Sequence, residues 1–217
     1  MNRILVTGLI AVAAASANLA HANAPVAATG APVPNRADLM ALGQQKASTV
    51  CVACHGLDGM SAVPANPNIA GMPEQYIAKQ LELFKEGKRQ NPIMQGMAAS
   101  LTPDEMKGLG IYYFSQRPKA NATARDLALA AKGQKIFRAG IPEQKVPACA
   151  GCHGAAGAGI PAIYPRLAGQ WPEYVAASLE GYANETRKNA QMNAIAKRMR
   201  AEDRRAVSEY VAGMRAK

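Results

Sequence analysis

The sequence predicts an all-α protein that consists of two tandem copies of one small helical domain. Three observations support this prediction. A string of the form Cys-x-x-Cys-His occurs twice, at 51–55 and at 149–153, an offset of 98 residues. The same offset brings the downstream residues of the two halves into register without a gap. Apolar residues at helical spacing follow each string, as expected of amphipathic helices.

The elements of the first half follow from local signals. A helix is predicted over 37–49, ahead of the first string, and Pro73 opens a second one, because proline suits the first helical turn. The residues Asn91-Pro92-Ile93-Met94 are predicted to lie in a loop. Thr102-Pro103-Asp104-Glu105 is a capping box that opens a third helix. The apolar residues of the second helix recur at helical spacing, namely Tyr76, Ile77, Leu81 and Phe84.

The second half repeats this order. The offset of 98 pairs four residues downstream of each string with their counterparts: Pro67 with Pro165, Tyr76 with Tyr174, Leu81 with Leu179 and Tyr112 with Tyr210. Upstream of the strings, Gly43-Gln44 matches Gly133-Gln134 at an offset of 90. The second copy therefore carries eight extra residues, which are predicted to form a surface loop at 140–147.

Each string predicts the covalent attachment of one c-type haem. Thiols three positions apart, Cys51 with Cys54 and Cys149 with Cys152, can reach the two vinyl groups of one porphyrin. The next residue, His55 or His153, would then lie under the iron as its proximal ligand. The alternatives are a thioredoxin-like redox pair, which needs a βαβ surround, a zinc site and structural disulfides. The zinc alternative leaves the adjacent histidines unexplained.

The repeat also predicts the sixth iron ligand. Methionine commonly completes a histidine-bound haem iron in electron carriers and raises its potential, but the chain has ten methionines. The offset of 98 aligns Met94 with Met192, each 39 residues after its histidine. The neighbouring Met97 aligns with Ile195, which cannot bind iron. Met94 and Met192 are therefore the predicted metal ligands.

Together these motifs resemble the class I di-haem cytochromes c of the cytochrome c4 type over residues 43–214. The shared motifs are CxxCHG, then Pro-x-Ile/Leu-Ala-Gly, then a helix with Tyr and Leu, then the methionine. The resemblance implies two cytochrome c-like domains related by a pseudo-twofold axis, with the haem propionates meeting near the interface. It also implies that the Pro67 and Pro165 carbonyls accept from the histidine Nδ1–H. Met199-Arg200 departs from the family pattern, so the last helix is less well capped.

The first residues are typical of a secretory signal peptide, because Arg3 precedes an uncharged apolar run at 4–17. This run is short for a membrane-spanning helix. The predicted division is a signal peptide 1–22, a flexible leader 23–36, an N-terminal domain 37–117, a linker 118–122 and a C-terminal domain 123–217. An uncleaved N-terminal anchor is the alternative. Haem attachment outside the bacterial cytoplasm agrees with export, so a periplasmic location is predicted.

The formal net charge of +10 is unevenly distributed. Residues 23–117 carry 8 basic and 7 acidic side chains, whereas residues 118–217 carry 16 and 8. Nine basic residues lie between Glu185 and Lys217, around the second methionine. We expect the C-terminal half to dock an acidic redox partner through them; a merely solvated helix face is the alternative. Nucleic acid is excluded as a partner by the lack of any recognition motif, while peripheral membrane association stays open.

Two irons that each bind histidine and methionine keep no open position for a substrate. The sequence therefore predicts no catalytic residues and a di-haem electron carrier between a quinol-oxidising complex or dehydrogenase and a terminal oxidase. One alternative is the electron-accepting subunit of a dehydrogenase. Another is a di-haem peroxidase, which the paired methionines argue against. Trp171, Tyr174 and Tyr182 are interpreted as helix-packing residues rather than haem-pocket residues.

Overall fold

A computed structural model describes residues 34–216, and within that range the chain is helical with no β-sheet. The α-helices of this range are α1 (Arg36–Lys46), α2 (Val52–His55), α3 (Glu74–Lys85), α4 (Pro92–Ala99), α5 (Pro103–Ser115), α6 (Leu127–Ala139), α7 (Ala150–His153), α8 (Pro172–Ala183), α9 (Ala190–Ala196) and α10 (Ala201–Gly213). A π-helical turn, Ala47–Cys51, joins α1 to α2, and a 3-10 turn, Pro142–Gln144, follows α6. The all-α prediction is confirmed.

Each half is built on a crossing of its first and last helices, α1 with α5 and α6 with α10. The helices approach so closely that a Cβ built on Gly43 would lie 2.0 Å from the Gly108 carbonyl oxygen. In the second half, a Cβ on Gly133 would lie 1.9 Å from the Ala206 carbonyl oxygen. Only glycine permits backbones to approach this closely. The two crossings use the residues that the offsets of 90 and 98 pair, which supports the predicted duplication.

Two separate apolar cores fill the halves. The first is formed mainly by α3 and α5 and includes Phe84, Leu109 and Tyr113, which are 6%, 1% and 1% exposed. The second includes Phe137 and Val211, both fully buried. Each core packs against the first cysteine and the predicted methionine ligand of its own half. The helical core of each half therefore supports one CxxCH string.

Side-chain caps explain where several helices begin. The Asn35 side chain accepts hydrogen bonds from the first turn of α1, and Thr102 and Glu105 form the predicted capping box of α5. In contrast, α10 follows Arg200, which makes no side-chain cap. The weaker capping expected of the last helix is therefore present. Such a cap contributes about 1 kcal/mol where it occurs.

The prediction that Asn91-Pro92-Ile93-Met94 form a loop was wrong, because they begin helix α4. The Asn91 side chain accepts a hydrogen bond from the Met94 amide at 2.9 Å, and Pro92 occupies the first helical position. Asn189 caps α9 in the same way, accepting from the Met192 amide at 3.0 Å. Each predicted methionine ligand therefore lies in the first turn of a short capped helix.

The eight extra residues at 140–147 form a loop, as predicted, but it is anchored rather than simply on the surface. Ile141 and Val146 pair across it as an isolated antiparallel bridge, and both are buried. Gln144 Nε2 donates a hydrogen bond to Asp203 Oδ2 at 3.0 Å. The loop thus packs onto the start of α10.

The predicted signal peptide, 1–22, lies outside the described residues, as does the predicted leader up to residue 33. The first described helix begins at Arg36, one residue before the predicted start of 37. Between residues 34 and 216, no helix has both the length and the apolar character needed to cross a membrane.

The two halves contact each other through reciprocal hydrogen bonds. Arg89 Nη2 donates to the Tyr174 hydroxyl at 3.1 Å, and Arg187 Nη2 donates to the Tyr76 hydroxyl at 2.7 Å. The offset of 98 exchanges these two pairs. A contact that maps onto itself when the partners are exchanged is the property of a twofold interface. The pseudo-twofold relation implied by the resemblance is therefore visible in the side chains.

A second set of interface bonds breaks this symmetry. Gln170 is 3% exposed and bonds the Asn68 backbone twice, accepting from its N–H and donating to its carbonyl, both at 2.8 Å. Trp171 Nε1 donates to the Ser61 carbonyl at 3.2 Å. The counterparts of Asn68 and Gln170 under the offset are Arg166 and Met72, which cannot make the same bonds.

Candidate haem-binding sites

The first CxxCH string lies at the end of a helical segment, and the chain turns sharply directly after it. Cys51 ends the π-helical turn, and Cys54 and His55 lie on α2. Gly56 then takes a φ of +72°, where a Cβ would lie 2.7 Å from the Met60 carbonyl oxygen. Glycine is the residue that this left-handed conformation favours. The chain can therefore turn back immediately after the histidine.

Both histidines are held by a proline carbonyl. His55 Nδ1 lies 3.0 Å from the Pro67 oxygen, and His153 Nδ1 lies 2.9 Å from the Pro165 oxygen. Burial lowers the pKa of both imidazoles, and the hydrogen bonds to the proline carbonyls oppose this shift without cancelling it. The lowered pKa favours the neutral ring. A neutral ring that donates from Nδ1 leaves its Nε2 lone pair free for a metal. This is the contact that the resemblance implies.

A cavity of about 510 Å³ adjoins the first string. It is lined by both cysteines of the string, by His55 and by Met94, so the structure brings these four predicted site residues together. The remaining wall is largely apolar and includes Ile69, Ile77, Leu81, Phe84 and Leu109. A large apolar cavity with a few convergent polar groups is typical of a cofactor site.

The same cavity has a polar end that is made by both halves. Arg89, Tyr76 and Gln80 come from the first half, and Tyr174 and Arg187 come from the second. Arg187 is only 8% exposed, yet among residues 34–216 neither arginine forms an ion pair with a carboxylate. Buried cations favour an anionic counterpart. The cavity therefore fits haem, with apolar walls for the porphyrin and two guanidiniums for its propionates.

The second string has corresponding surroundings. Cys152 and His153 lie on α7, His153 is 7% exposed, and its ring packs edge-on against Tyr164 with centroids 5.9 Å apart. Cys149 and Met192 both pack against the second core. Burial raises the pKa of Cys149 to about 11. A reactive redox cysteine needs a lowered pKa, so the thioredoxin-like alternative is disfavoured here.

Comparison with known proteins identifies the family. A cytochrome c family profile matches residues 40–112 and 130–215. The chain is 42% identical to cytochrome c4 of Thiocapsa roseopersicina, over 79% of this chain and 91% of that protein. The chain belongs to the cytochrome c4 family. The crystal structure of reduced recombinant cytochrome c4 from Pseudomonas stutzeri superimposes with a TM-score of 0.76 at 35% identity, over 81% of this chain and 98% of that one.

A second kind of relative carries a more specific name. The chain is 37% identical to the thiosulfate dehydrogenase electron acceptor of Stutzerimonas stutzeri strain A1501, over 79% of this chain and 82% of that protein. As a member of the cytochrome c4 family, this chain carries two covalently bound haem c groups in two cytochrome c domains. It is an electron carrier rather than an enzyme.

One of the three aromatic residues near the interface has a different role from the one predicted. Tyr174 was assigned to helix packing, but it lines the haem cavity of the other half. Trp171 does pack at the interface, through its bond to Ser61. Tyr182 stacks under Arg187, whose guanidinium carbon lies 4.6 Å from the ring centroid. Neither Arg89 nor Arg187 was predicted to line a haem site, although the offset of 98 pairs them.

The basic stretch of the second half is less exposed than its charge count suggests. Arg187 is buried at the interface, and Arg204 pairs with Glu180 at 2.5 Å with its side chain only 13% exposed. Lys197 pairs with Glu185. Arg200 pairs with the buried Asp203. Four of the nine basic residues are therefore either buried or paired with a carboxylate.

Proposed function

We propose that this cytochrome is a periplasmic electron carrier in which both irons are ligated by histidine and methionine. The proposed ligands are His55 with Met94 and His153 with Met192, and the thioethers form at Cys51, Cys54, Cys149 and Cys152. The placement of Met94 and His55 in one cavity is the observation on which the proposal depends. Haem supplies an iron that alternates between ferric and ferrous states.

The first turn of each methionine helix supports this ligation. Asn91 and Asn189 cap helices α4 and α9 at the residue three positions before each methionine, which fixes the backbone from which the thioether extends. A ligand on a fixed backbone loses little conformational freedom when it binds. A closed iron also excludes small substrates, so that each site exchanges electrons with little rearrangement.

Replacing each methionine by alanine tests the ligation. Met94→Ala should remove the weak red absorption band of methionine-ligated ferric haem from one haem and lower its reduction potential, and Met192→Ala should do the same to the other. Met97→Ala is the matched control, because Met97 lines the same cavity but is 46% exposed and aligns with Ile195. An unchanged band in Met94→Ala, or its loss in Met97→Ala, would contradict the assignment.

A second candidate function is that of a dedicated electron acceptor for one dehydrogenase. The relative in Stutzerimonas stutzeri, named as the electron acceptor of thiosulfate dehydrogenase, favours this candidate. Isolation of the native cytochrome distinguishes the two functions. A dedicated acceptor co-purifies with a catalytic chain at constant stoichiometry, whereas a general carrier elutes alone and reduces an oxidase without it.

The docking surface of the partner is proposed to lie on the basic second half. Lys188, Arg198 and Arg205 are exposed and form no ion pair within residues 34–216, so their charge is available to an acidic partner. Arg205→Glu should slow electron transfer at low salt and weaken its dependence on ionic strength. Arg117→Glu, an exposed position in the first half, is the charge-matched control. Equal effects of the two charge reversals would contradict docking at the second half.

Export is proposed to remove residues 1–22. The mature chain would then begin at Asn23 and carry two haems. The intact mass of the protein isolated from the periplasm measures both properties at once. A chain that retains residues 1–22 would indicate the uncleaved anchor instead.

A further inference from the structure

Tyr113 carries a buried hydroxyl that no group of residues 34–216 satisfies. The side chain is 1% exposed, and its hydroxyl oxygen makes no hydrogen bond with the described residues. An unpaired buried hydroxyl destabilises a fold, because it has given up its hydrogen bonds to water and gained none in return. Such a group in a native fold calls for an explanation.

The position of Tyr113 indicates where its partner would be. Its side chain lines the cavity beside the first CxxCH string, and its phenol is near the Cys51 thiol. Burial raises the pKa of Cys51, and the phenol of Tyr113 opposes that rise. Both side chains also belong to the first apolar core, so the phenol and the sulfur that becomes a thioether when haem is attached line one cavity and pack in one core.

The ring has little freedom to turn away. Tyr113 Cδ1 lies 2.9 Å from the place where a Cβ on Gly59 would be, so the ring lies directly against that backbone. On another side, Tyr112 packs edge-on, with centroids 5.2 Å apart and an interplanar angle of 72°. A ring held from two sides fixes the direction of its hydroxyl.

Among the described residues of the second half, the position equivalent to Tyr113 holds no hydrogen-bond donor. The offset of 98 aligns Tyr113 with Val211, which is fully buried, and Gly59 with Gly157. The space beside Gly157 is occupied by Met214, whose sulfur lies 3.3 Å from a Cβ built there. Apolar groups thus replace the phenol at this position of the second site.

We propose that the Tyr113 hydroxyl donates a hydrogen bond to the Cys51 sulfur of the first haem and thereby raises the reduction potential of that haem alone. The hydrogen carries a partial positive charge, which favours the ferrous iron over the more positive ferric iron. Hydrogen bonding around the cofactor is one of the means by which a protein tunes haem potential. The inference rests on the proposed attachment of the first haem to Cys51.

The variant Tyr113→Phe tests this role with the ring retained. We expect the one-electron equilibrium constant of the first haem to shift threefold to tenfold toward the ferric form, about 30 to 59 mV at 59 mV per tenfold change. The second haem should keep its potential. A redox titration followed by the NMR signals of the haem methyl groups reports each haem separately.

Tyr112→Phe is the matched control, because the Tyr112 hydroxyl donates to the Leu57 carbonyl at 3.0 Å instead. An unchanged first potential in Tyr113→Phe, an equal shift of both haems, or an equal shift in Tyr112→Phe would overturn the proposal. The mass of two attached haems and the methionine band, measured on the same sample, show separately whether attachment and ligation are intact.

A measurement on the unaltered protein covers the case in which Tyr113→Phe does not fold. In the diamagnetic ferrous state, the Tyr113 hydroxyl proton should exchange slowly with water and show a nuclear Overhauser effect to the Cys51 β-protons. A hydroxyl proton that exchanges rapidly, or that shows no contact with Cys51, would overturn the proposal equally.

Discussion

Replacing Gln170 by methionine should separate the stability of the domain interface from that of the two cores. Gln170 is 3% exposed and bonds both the N–H and the carbonyl of Asn68 at 2.8 Å. Methionine has a similar length but offers neither a strong donor nor a strong acceptor. Two buried backbone groups would lose their partners, at about 1–3 kcal/mol each. The expected loss in the free energy of unfolding is therefore about 2–6 kcal/mol.

Urea denaturation followed by helical circular dichroism and by the haem Soret band measures this loss. A change in midpoint at a constant slope reports stability, whereas a split into two transitions reports that the halves unfold independently. Gln75→Met is the control, since Gln75 is exposed on α3, and a change there should stay within about 0.5 kcal/mol. A loss at Gln170 no larger than that of the control would refute the reasoning.

Two further predictions concern the scaffold of each half. Gly43→Ala should destabilise the protein by about 1–3 kcal/mol, because the new Cβ would lie 2.0 Å from the Gly108 carbonyl oxygen. Gly96→Ala is the control and should be neutral or stabilising, because a Cβ at Gly96 would meet no atom within 4 Å. Thermal unfolding of the two variants measures the difference. Burial would raise the pKa of Asp203, but hydrogen bonds, foremost from Lys132, bring it to about 2. Because this lies below the unfolded value of 3.8, Asp203→Asn should cost about 2 kcal/mol at pH 6 and progressively less as the pH falls toward 2, measured by urea titration.

The repeat made the architecture predictable from sequence. The haem-attachment strings, the prolines and the methionines share one offset. This offset can be found in the sequence without any knowledge of how the chain packs. The capping box at Thr102 is likewise a local signal, and it is present in the structure. Helix α4 was missed because Asn-Pro favours turns and also helix starts. In this chain Asn91 acts as a helix cap.

The interface was less predictable, because burial depends on what the other half presents. Arg187 was counted with the exposed basic residues, since a charge count records sign but not surroundings. Its partners, Tyr76 and Gln80, lie 111 and 107 residues away along the chain. Only the pairing of Arg89 with Arg187 at the offset of 98 could have indicated a shared role.

Tyr174 and Arg187 of the second half form a polar wall of the first haem cavity, so cutting the chain between its halves would leave that cavity open on one side. In this chain, residues of the second half close one side of the cofactor cavity of the first half. An isolated first half would expose one side of its haem to water. The redox properties of that haem would therefore differ from those that it has in the intact chain.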